Sequence, residues 1–490
     1  MIRTFSAVLL AAVVGMPAHA DRQLGELKFQ KCELPVVGAR PSDPLPAECT
    51  TLSVPENWDA PEGRQIELAV ALIPARSSKA QPDPVVFLAG GPGQAAREAW
   101  RGVSGAFHEV LQDRHVLLLD QRGTGGSARM ECKLPSLDDP MGAQPTPEQL
   151  TAMARECLTQ IELKQDPRYY TTSDAARDLD RLRSAVGAPQ LNLVGGSYGT
   201  RMAQIYYQRY PDKVRSMVLD GIAPNDLVLG SEHAINLEST LKAQFQRCVA
   251  DPECQQTYGD PYATLKQLQM QLRTSPQRVS LADPLTHERR DVPLVEGALA
   301  AAVRMYAYQP ESVVLLPRML AEAAAGRPEA LLAQALMVMD DLGEQIHHGM
   351  QLSVMCSEDA DAMAARAEDA DTLLGNGLIE MALAQCSVWP TAPKPAGFNT
   401  PSSGDVPSLL LSGEFDPVTP PRYGEQVLKG LSRARHLVAA GQGHIVMTRG
   451  CMPKLMTEFI RDLDPAALDV SCLDALSAPS FFLNASGAAP

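Results

Sequence analysis

The chain has 490 residues, of which 45% are apolar, 21% charged and 5% aromatic. This composition supports more than one domain's worth of buried core and excludes global disorder. With 58 acidic against 43 basic residues and a formal charge of −15, it also argues against nucleic-acid partners, whose binders concentrate Lys, Arg and stacking aromatics.

Residues 1–20 read MIRTFSAVLLAAVVGMPAHA. Arg3 supplies a positive start, residues 7–16 an apolar run about half as long as a membrane span, and Ala18-His19-Ala20 a small-x-small cleavage site. We read a cleavable signal peptide with the mature start at Asp21; a short membrane anchor is the competing reading. No later stretch reaches roughly 18 uncharged apolar residues, so an exported protein, periplasmic or extracellular and without stable membrane insertion, is expected. All ten cysteines follow this segment: Cys32, Cys49, Cys132, Cys157, Cys248, Cys254, Cys356, Cys386, Cys451 and Cys472. An even number in an exported chain implies disulfides. The pairing stays open, and neighbours paired in sequence order would close local loops. The chain has no C-x-x-C pair, which argues against a zinc site.

Residues 21–50 are Pro-rich and read as an irregular extension. Strands are expected from Thr51 onward, at residues 66–73, 84–89 and 115–120, the last two running into Gly-rich loops. Residues 173–186 have helical spacing, with Ala176, Leu179, Leu182 and Val186 on one face and Thr172 or Ser173 as cap. Residues 191–194 form a strand, a sharp Gly turn follows, and a helix runs from about Tyr198 to Tyr207 before a strand at 214–219. Strands alternating with helices imply an α/β fold, a mostly parallel sheet with helices on both faces. Segments such as 294–306 and 313–325 make residues 222–390 a large helical cap insertion, and strands resume at 407–412 and 436–439. The expected organisation is a signal peptide 1–20, an extension 21–50, a core in two parts 51–221 and 391–475, a cap 222–390, and a tail 476–490 that frays after Phe482.

The strongest local signal is Gly195-Gly196-Ser197-Tyr198-Gly199, placed between a strand and a helix. That is the setting of a nucleophile elbow, a turn that lifts a serine hydroxyl above the sheet edge. A serine needs a base and a group to orient that base. In α/β-hydrolases these follow the serine in the order acid, then His. Asp416 lies in the loop after the strand at 407–412 and His444 in the Gly-flanked loop after the strand at 436–439. Glu414 competes with Asp416, but Pro417 stiffens the loop presenting Asp416. His436 opens a strand, His347 and His348 read as solvated cap residues, and His108 and His115 precede the serine, the wrong order for its base. Donors for an oxyanion are expected from the Gly91 amide, with Gly90 as neighbour, and from the Tyr198 amide. The spacing G-x-G-x-x-G is absent from Gly90-Gly91-Pro92-Gly93 and from Gly123-Thr124-Gly125-Gly126, and no Walker or H-E-x-x-H motif occurs. No cofactor or metal is called for.

Together Ala89-Gly90-Gly91-Pro92-Gly93, Asp120-Gln121-Arg122-Gly123-Thr124-Gly125, Gly195-Gly196-Ser197-Tyr198-Gly199, residues 413–419 and Gly441-Gln442-Gly443-His444 resemble the prolyl- and tripeptidyl-aminopeptidase branch of the α/β-hydrolase fold, with a TAP-like C-terminal region. The resemblance implies a serine exopeptidase acting on short peptides with a free N-terminus. Ala89 departs from the His that precedes Gly-Gly-Pro-Gly in close prolyl iminopeptidases, which points away from strict proline specificity. The segment Met355-Cys356-Ser357-Glu358-Asp359 looks like one of the secreted branch. It implies Glu358, with Asp359, as carboxylates for the substrate ammonium; a capped helix start is the structural alternative. A carboxylesterase with the same triad, or a catalytically silent binding protein, are the other readings.

Overall fold

Short apolar runs set the frame: VVFL, VLLL, LNLVGG and SLLLSG are buried along their whole length, as strands covered on both faces must be. The structure, a computed structural model, describes residues 21–36, 43–132, 145–284 and 286–488; the segment read as a signal peptide lies outside them. In chain order the strands are β1 (Arg22–Leu24), β2 (Leu27–Glu33), β3 (Pro46–Pro55), β4 (Gln65–Ile73), β5 (Val85–Leu88), β6 (Val116–Leu119), β7 (Leu191–Gly196), β8 (Val214–Asp220), β9 (Gln277–Ala282), β10 (Arg289–Leu294), β11 (Ser408–Gly413) and β12 (Ala434–Ala439). Ten of them form one sheet in the order β1-β2-β3-β4-β6-β5-β7-β8-β11-β12, while β9 and β10 pair apart as a hairpin. From β6 to β12 the pairing is parallel; β1 to β4 join antiparallel at the β6 side.

The described parts of residues 21–50, 21–36 and 43–50, are therefore not irregular. They supply β1, β2 and half of β3. In β2, Leu27 and Phe29 are buried while Lys28 and Gln30 are exposed, a period-two pattern too short to stand out among charges. Pairing with β3 makes it a strand, and Cys32–Cys49 ties the two together. The other bridges are Cys132–Cys157, Cys248–Cys254, Cys356–Cys386 and Cys451–Cys472, all between neighbours in sequence order.

Helices α1 (Ala96–Val103), α2 (Pro147–Glu162), α3 (Thr172–Ala185) and α4 (Tyr198–Arg209) accompany the first part of the sheet. The cap of α3 is Thr171, one residue before the expected position; its side chain accepts from the Asp174 amide. The insertion holds α5 (His233–Ala250), α6 (Pro252–Tyr258), α7 (Pro261–Thr274), α8 (Glu296–Tyr306), α9 (Pro310–Val313), α10 (Leu316–Ala324), α11 (Glu329–Gln345), α12 (His348–Glu358) and α13 (Gly377–Cys386). It has two allegiances. Leu241 and Phe245 of α5, Leu299 of α8 and Leu320 of α10 close a separate apolar cluster with the β9–β10 hairpin, whereas Met350 and Val354 of α12 belong to the core around the sheet. Helices α14 (Pro421–Leu428) and α15 (Met452–Asp462) complete the second part. The tail is anchored up to Phe482: Phe481 is buried in the cap cluster, the Phe482 amide donates to Val314 O at 3.2 Å, and Tyr258 donates to Phe482 O at 2.7 Å. In the described residues beyond it, expected to fray, the Leu483 amide donates to Gly487 O at 2.9 Å. Among the described residues, no helix is long and apolar enough to cross a membrane.

Candidate active site

Strand β7 ends in the glycines that let α4 start immediately. Gly199 lies so close to the Leu88 carbonyl that no side chain fits there, which leaves Ser197 at the apex of the turn. Its φ of 56° and ψ of −125° lie where residues other than glycine are strained. The Ser197 amide donates to Asp220 O at 2.8 Å, locking the turn to the end of β8. Among the described residues nothing hydrogen-bonds to its hydroxyl, and the residue is only half-buried.

His444 reaches the same place from the other side. Gly221, which follows Asp220, packs so tightly on the imidazole that a methyl there would stand 2.9 Å from His444 Cε1. Serine and histidine thus flank the Asp220–Gly221 link at the end of β8. His444 Nδ1 lies 2.8 Å from Asp416 Oδ2, so the proton sits on Nδ1 and Nε2 keeps its lone pair. The other oxygen of Asp416 accepts from the amides of Val418 and Thr419 at 2.8 Å each, and the Thr419 hydroxyl donates to Oδ2 at 2.9 Å. Burial alone would push the Asp416 carboxyl up, but the imidazolium charge, its hydrogen bond and these amides outweigh it and hold the carboxyl below its ordinary range. Burial would likewise lower His444, but the charge and hydrogen bond of Asp416, with Asp220 beyond, raise it. The competing residues are engaged elsewhere. Glu414 accepts from the Gly441 amide at 2.7 Å, His436 meets Ser412 Oγ at 2.9 Å, and His115 accepts from the Ala75 amide at 2.9 Å.

Of the expected oxyanion donors, the Gly90 and Gly91 loop lies against Ser197, since a methyl on Gly90 would stand 3.1 Å from Ser197 Cβ. Tyr198 is the first residue of α4, where an amide has no partner inside the helix and carries the positive end of its dipole.

Glu358 and Asp359, expected to meet the substrate ammonium, are bound to donors of the protein itself. Glu358 accepts from the Thr172 amide at 2.6 Å and from its hydroxyl at 2.8 Å, capping the start of α3. Asp359 pairs with Arg201 of α4 at 2.9 Å, and both side chains are at most 1% exposed. Burial pushes Glu358 up to about 8. The effect of Glu358 reaches the site indirectly, since Thr172 Oγ1 lies 2.6 Å from the Tyr198 hydroxyl.

Four residues carry weight that sequence reasoning missed. Asp220 accepts from the amides of Val446 and Met447 at 2.8 and 2.7 Å, clamping the histidine loop to the serine turn; burial pushes its carboxyl up to about 7. Thr419, three residues past Asp416, had a local signal in the turn-forming spacing of an Asp and a Thr. Tyr308 accepts from the His444 amide at 2.8 Å and sets its ring edge-on to the imidazole, 5.4 Å between centroids. His347, expected in solvent, is buried. Its amide donates to Gly93 O at 2.9 Å and its Nε2 accepts from the Gly125 amide at 2.9 Å.

Residues 83–277 match the family described as alpha/beta hydrolase fold, and residues 371–472 the family described as TAP-like protein. Serine protease Hip1 of Mycobacterium tuberculosis is 26% identical over 92% of this chain and 92% of its own. A tripeptidyl aminopeptidase of Streptomyces lividans is 30% identical over 36% of each chain. Among solved structures, a proline iminopeptidase of Mycobacterium smegmatis aligns with 86% of this chain and all of its own at 16% identity and a TM-score of 0.40.

Proposed function

The chain is a serine hydrolase of the α/β-hydrolase fold, and on that premise we propose that it is an exported peptidase releasing residues from the free N-terminus of short peptides through an acyl-enzyme. His444 Nε2 takes the proton of the Ser197 hydroxyl as Oγ attacks the scissile carbonyl. The amides of Gly91 and Tyr198, with Gly90 beside them, hold the oxyanion. His444 returns the proton to the leaving amine, and water then attacks the ester by the same route. Asp416 keeps the imidazole in the tautomer this needs. The observation carrying the reading is the pairing of an unengaged serine hydroxyl, on a strained turn, with a histidine whose far nitrogen is fixed by a buried carboxylate. The peptide class draws on the relatives named as a serine protease and a tripeptidyl aminopeptidase. Export draws on the five disulfides.

A fluorophosphonate probe should label the protein and fail to label Ser197→Ala. Mass spectrometry of digests of one peptide set, with free and acetylated N-termini, should show N-terminal fragments released from the free set only. Equal cleavage of both sets overturns the exopeptidase reading. Hydrolysis of nitrophenyl esters with no peptide cleavage makes the protein a carboxylesterase, and absence of labelling makes it a binding protein.

A further inference from the structure

Arg304 stands in the last turn of α8, one helical turn before Tyr308. Its guanidinium lies 3.5 Å from the Tyr308 hydroxyl, and the Tyr308 ring is the one set against the His444 imidazole. The arginine is therefore one aromatic ring away from the proposed base. It is half-buried, and among the described residues no carboxylate pairs with it. Two other arginines nearby do pair, Arg366 with Asp369 and Arg422 with Glu232, each at 2.7 Å. A half-buried guanidinium without a counter-charge is costly to desolvate.

The position relative to the serine decides what this cation meets. Gly90 lies against Ser197, whereas His444 packs on Gly221, next to the Asp220 carbonyl that holds the Ser197 amide. The group that departs must receive its proton from His444 Nε2, so it passes along the His444 and Tyr308 side. A guanidinium presents a planar fork of donors matched to a carboxylate. The geometry points to a carboxylate subsite on the leaving-group side, formed by Arg304 and the Tyr308 hydroxyl. Its ligand is a carboxylate on the departing amine: the free C-terminus of a short leaving fragment, or an acidic side chain on its first residue. This rests on the peptidase reading and narrows it to substrates cut close to a carboxylate. The bland alternative is an arginine that only complements the α8 C-terminus.

The test compares substrates that share one acyl part. Three peptides differ only in the leaving part: a single neutral residue with free C-terminal carboxylate, the same residue as carboxamide, and an Asp or Glu residue as carboxamide. The wild-type enzyme should favour the acid over the neutral amide by about tenfold or more in kcat/KM, since a charge-assisted pair contributes about 1.5–3 kcal/mol. The third peptide tells the C-terminal from the side-chain source. In Arg304→Gln the ratio should fall to near one, and Arg304→Lys should retain part of it. Each ratio is read within one enzyme sample, so partial misfolding cancels. A wild-type ratio near one, or a ratio that Arg304→Gln leaves unchanged, overturns the subsite. A matched ester pair, whose leaving alcohol carries a carboxylate or a carboxamide, gives the same ratio if no peptide is cut. Failure of the peptidase reading is thereby separated from failure of the subsite.

Discussion

Thr419 shows how little chemistry a single residue needs in order to matter. Its hydroxyl donates to Asp416 Oδ2 at 2.9 Å and stands 3.1 Å from His444 Nδ1, while its amide satisfies the other carboxylate oxygen. Thr419→Val keeps the shape and removes only the hydroxyl. The expected loss is about 1–3 kcal/mol of orientation, roughly 5- to 100-fold in kcat, with KM little changed; a change confined to KM would contradict it. The pH profile follows from the same contacts. His444 is raised above 6.5 and is the proposed base, so kcat/KM should climb with pH through a midpoint above that value. Asp416→Asn removes the charge and leaves burial to dominate. The midpoint should then move below 6.5, while kcat drops by about 10⁴ as the tautomer is lost. For stability the signs are opposite. The raised His444 stabilises the fold at low pH, an effect lost as pH rises through its folded pKa. The lowered Asp416 stabilises it above 3.8, an effect lost as pH falls through its folded pKa. Ser197, Asp416 and His444 were legible in the sequence because each sits in a Gly- or Pro-marked loop at a strand end. Asp220 and Tyr308 were not, because an ordinary strand terminus and an ordinary tyrosine in the turn after α8 acquire their roles only from partners 226 and 136 residues away.

At the scale of elements, α12 connects features that the sequence kept apart. The residue before its start, His347, holds Gly93 and Gly125, and its last residue, Glu358, caps α3. Between them Met350 and Val354 are fully buried in the core around the sheet. Buried strands and amphipathic helices were readable from their runs and spacing. The allegiance of α12 was not, because its apolar residues fit a cap helix equally well and only packing decides between them. Glu358→Gln tests the structural role. It replaces one acceptor oxygen with an amide group facing the Thr172 donors, and the disturbance passes through Thr172 to Tyr198. Stability should fall by about 1–3 kcal/mol, and kcat should decline by the same factor on free-amine peptides and on neutral esters. A selective rise of KM for free-amine substrates would instead restore a role in ammonium binding.

At the scale of the whole molecule, three segments distant in sequence meet at one buried charge pair. Arg122, in the loop after β6, donates twice to Asp178 of α3 at 2.6 Å, to Glu56 O at 2.8 Å and to Tyr169 O at 2.6 Å. Trp58 donates to the same Asp178 at 2.9 Å. One guanidinium thereby joins the antiparallel edge, the central loop and the helix that precedes the nucleophile strand. It was quoted from the sequence only as part of a motif, since nothing local announces partners 47 to 66 residues away. Removing one member leaves the other charged, buried and unpaired, which costs about 3–5 kcal/mol, whereas replacing both with apolar residues of similar volume avoids that penalty. Denaturant unfolding should therefore rank Arg122→Met and Asp178→Leu each well below wild type, with the double variant losing clearly less than the sum of the two. The double variant should still fall short of wild type, because the carbonyls of Glu56 and Tyr169 and the indole N–H of Trp58 lose their partners. Strict additivity of the two single losses would mean that the three segments are held by apolar packing, with the charge pair incidental to it.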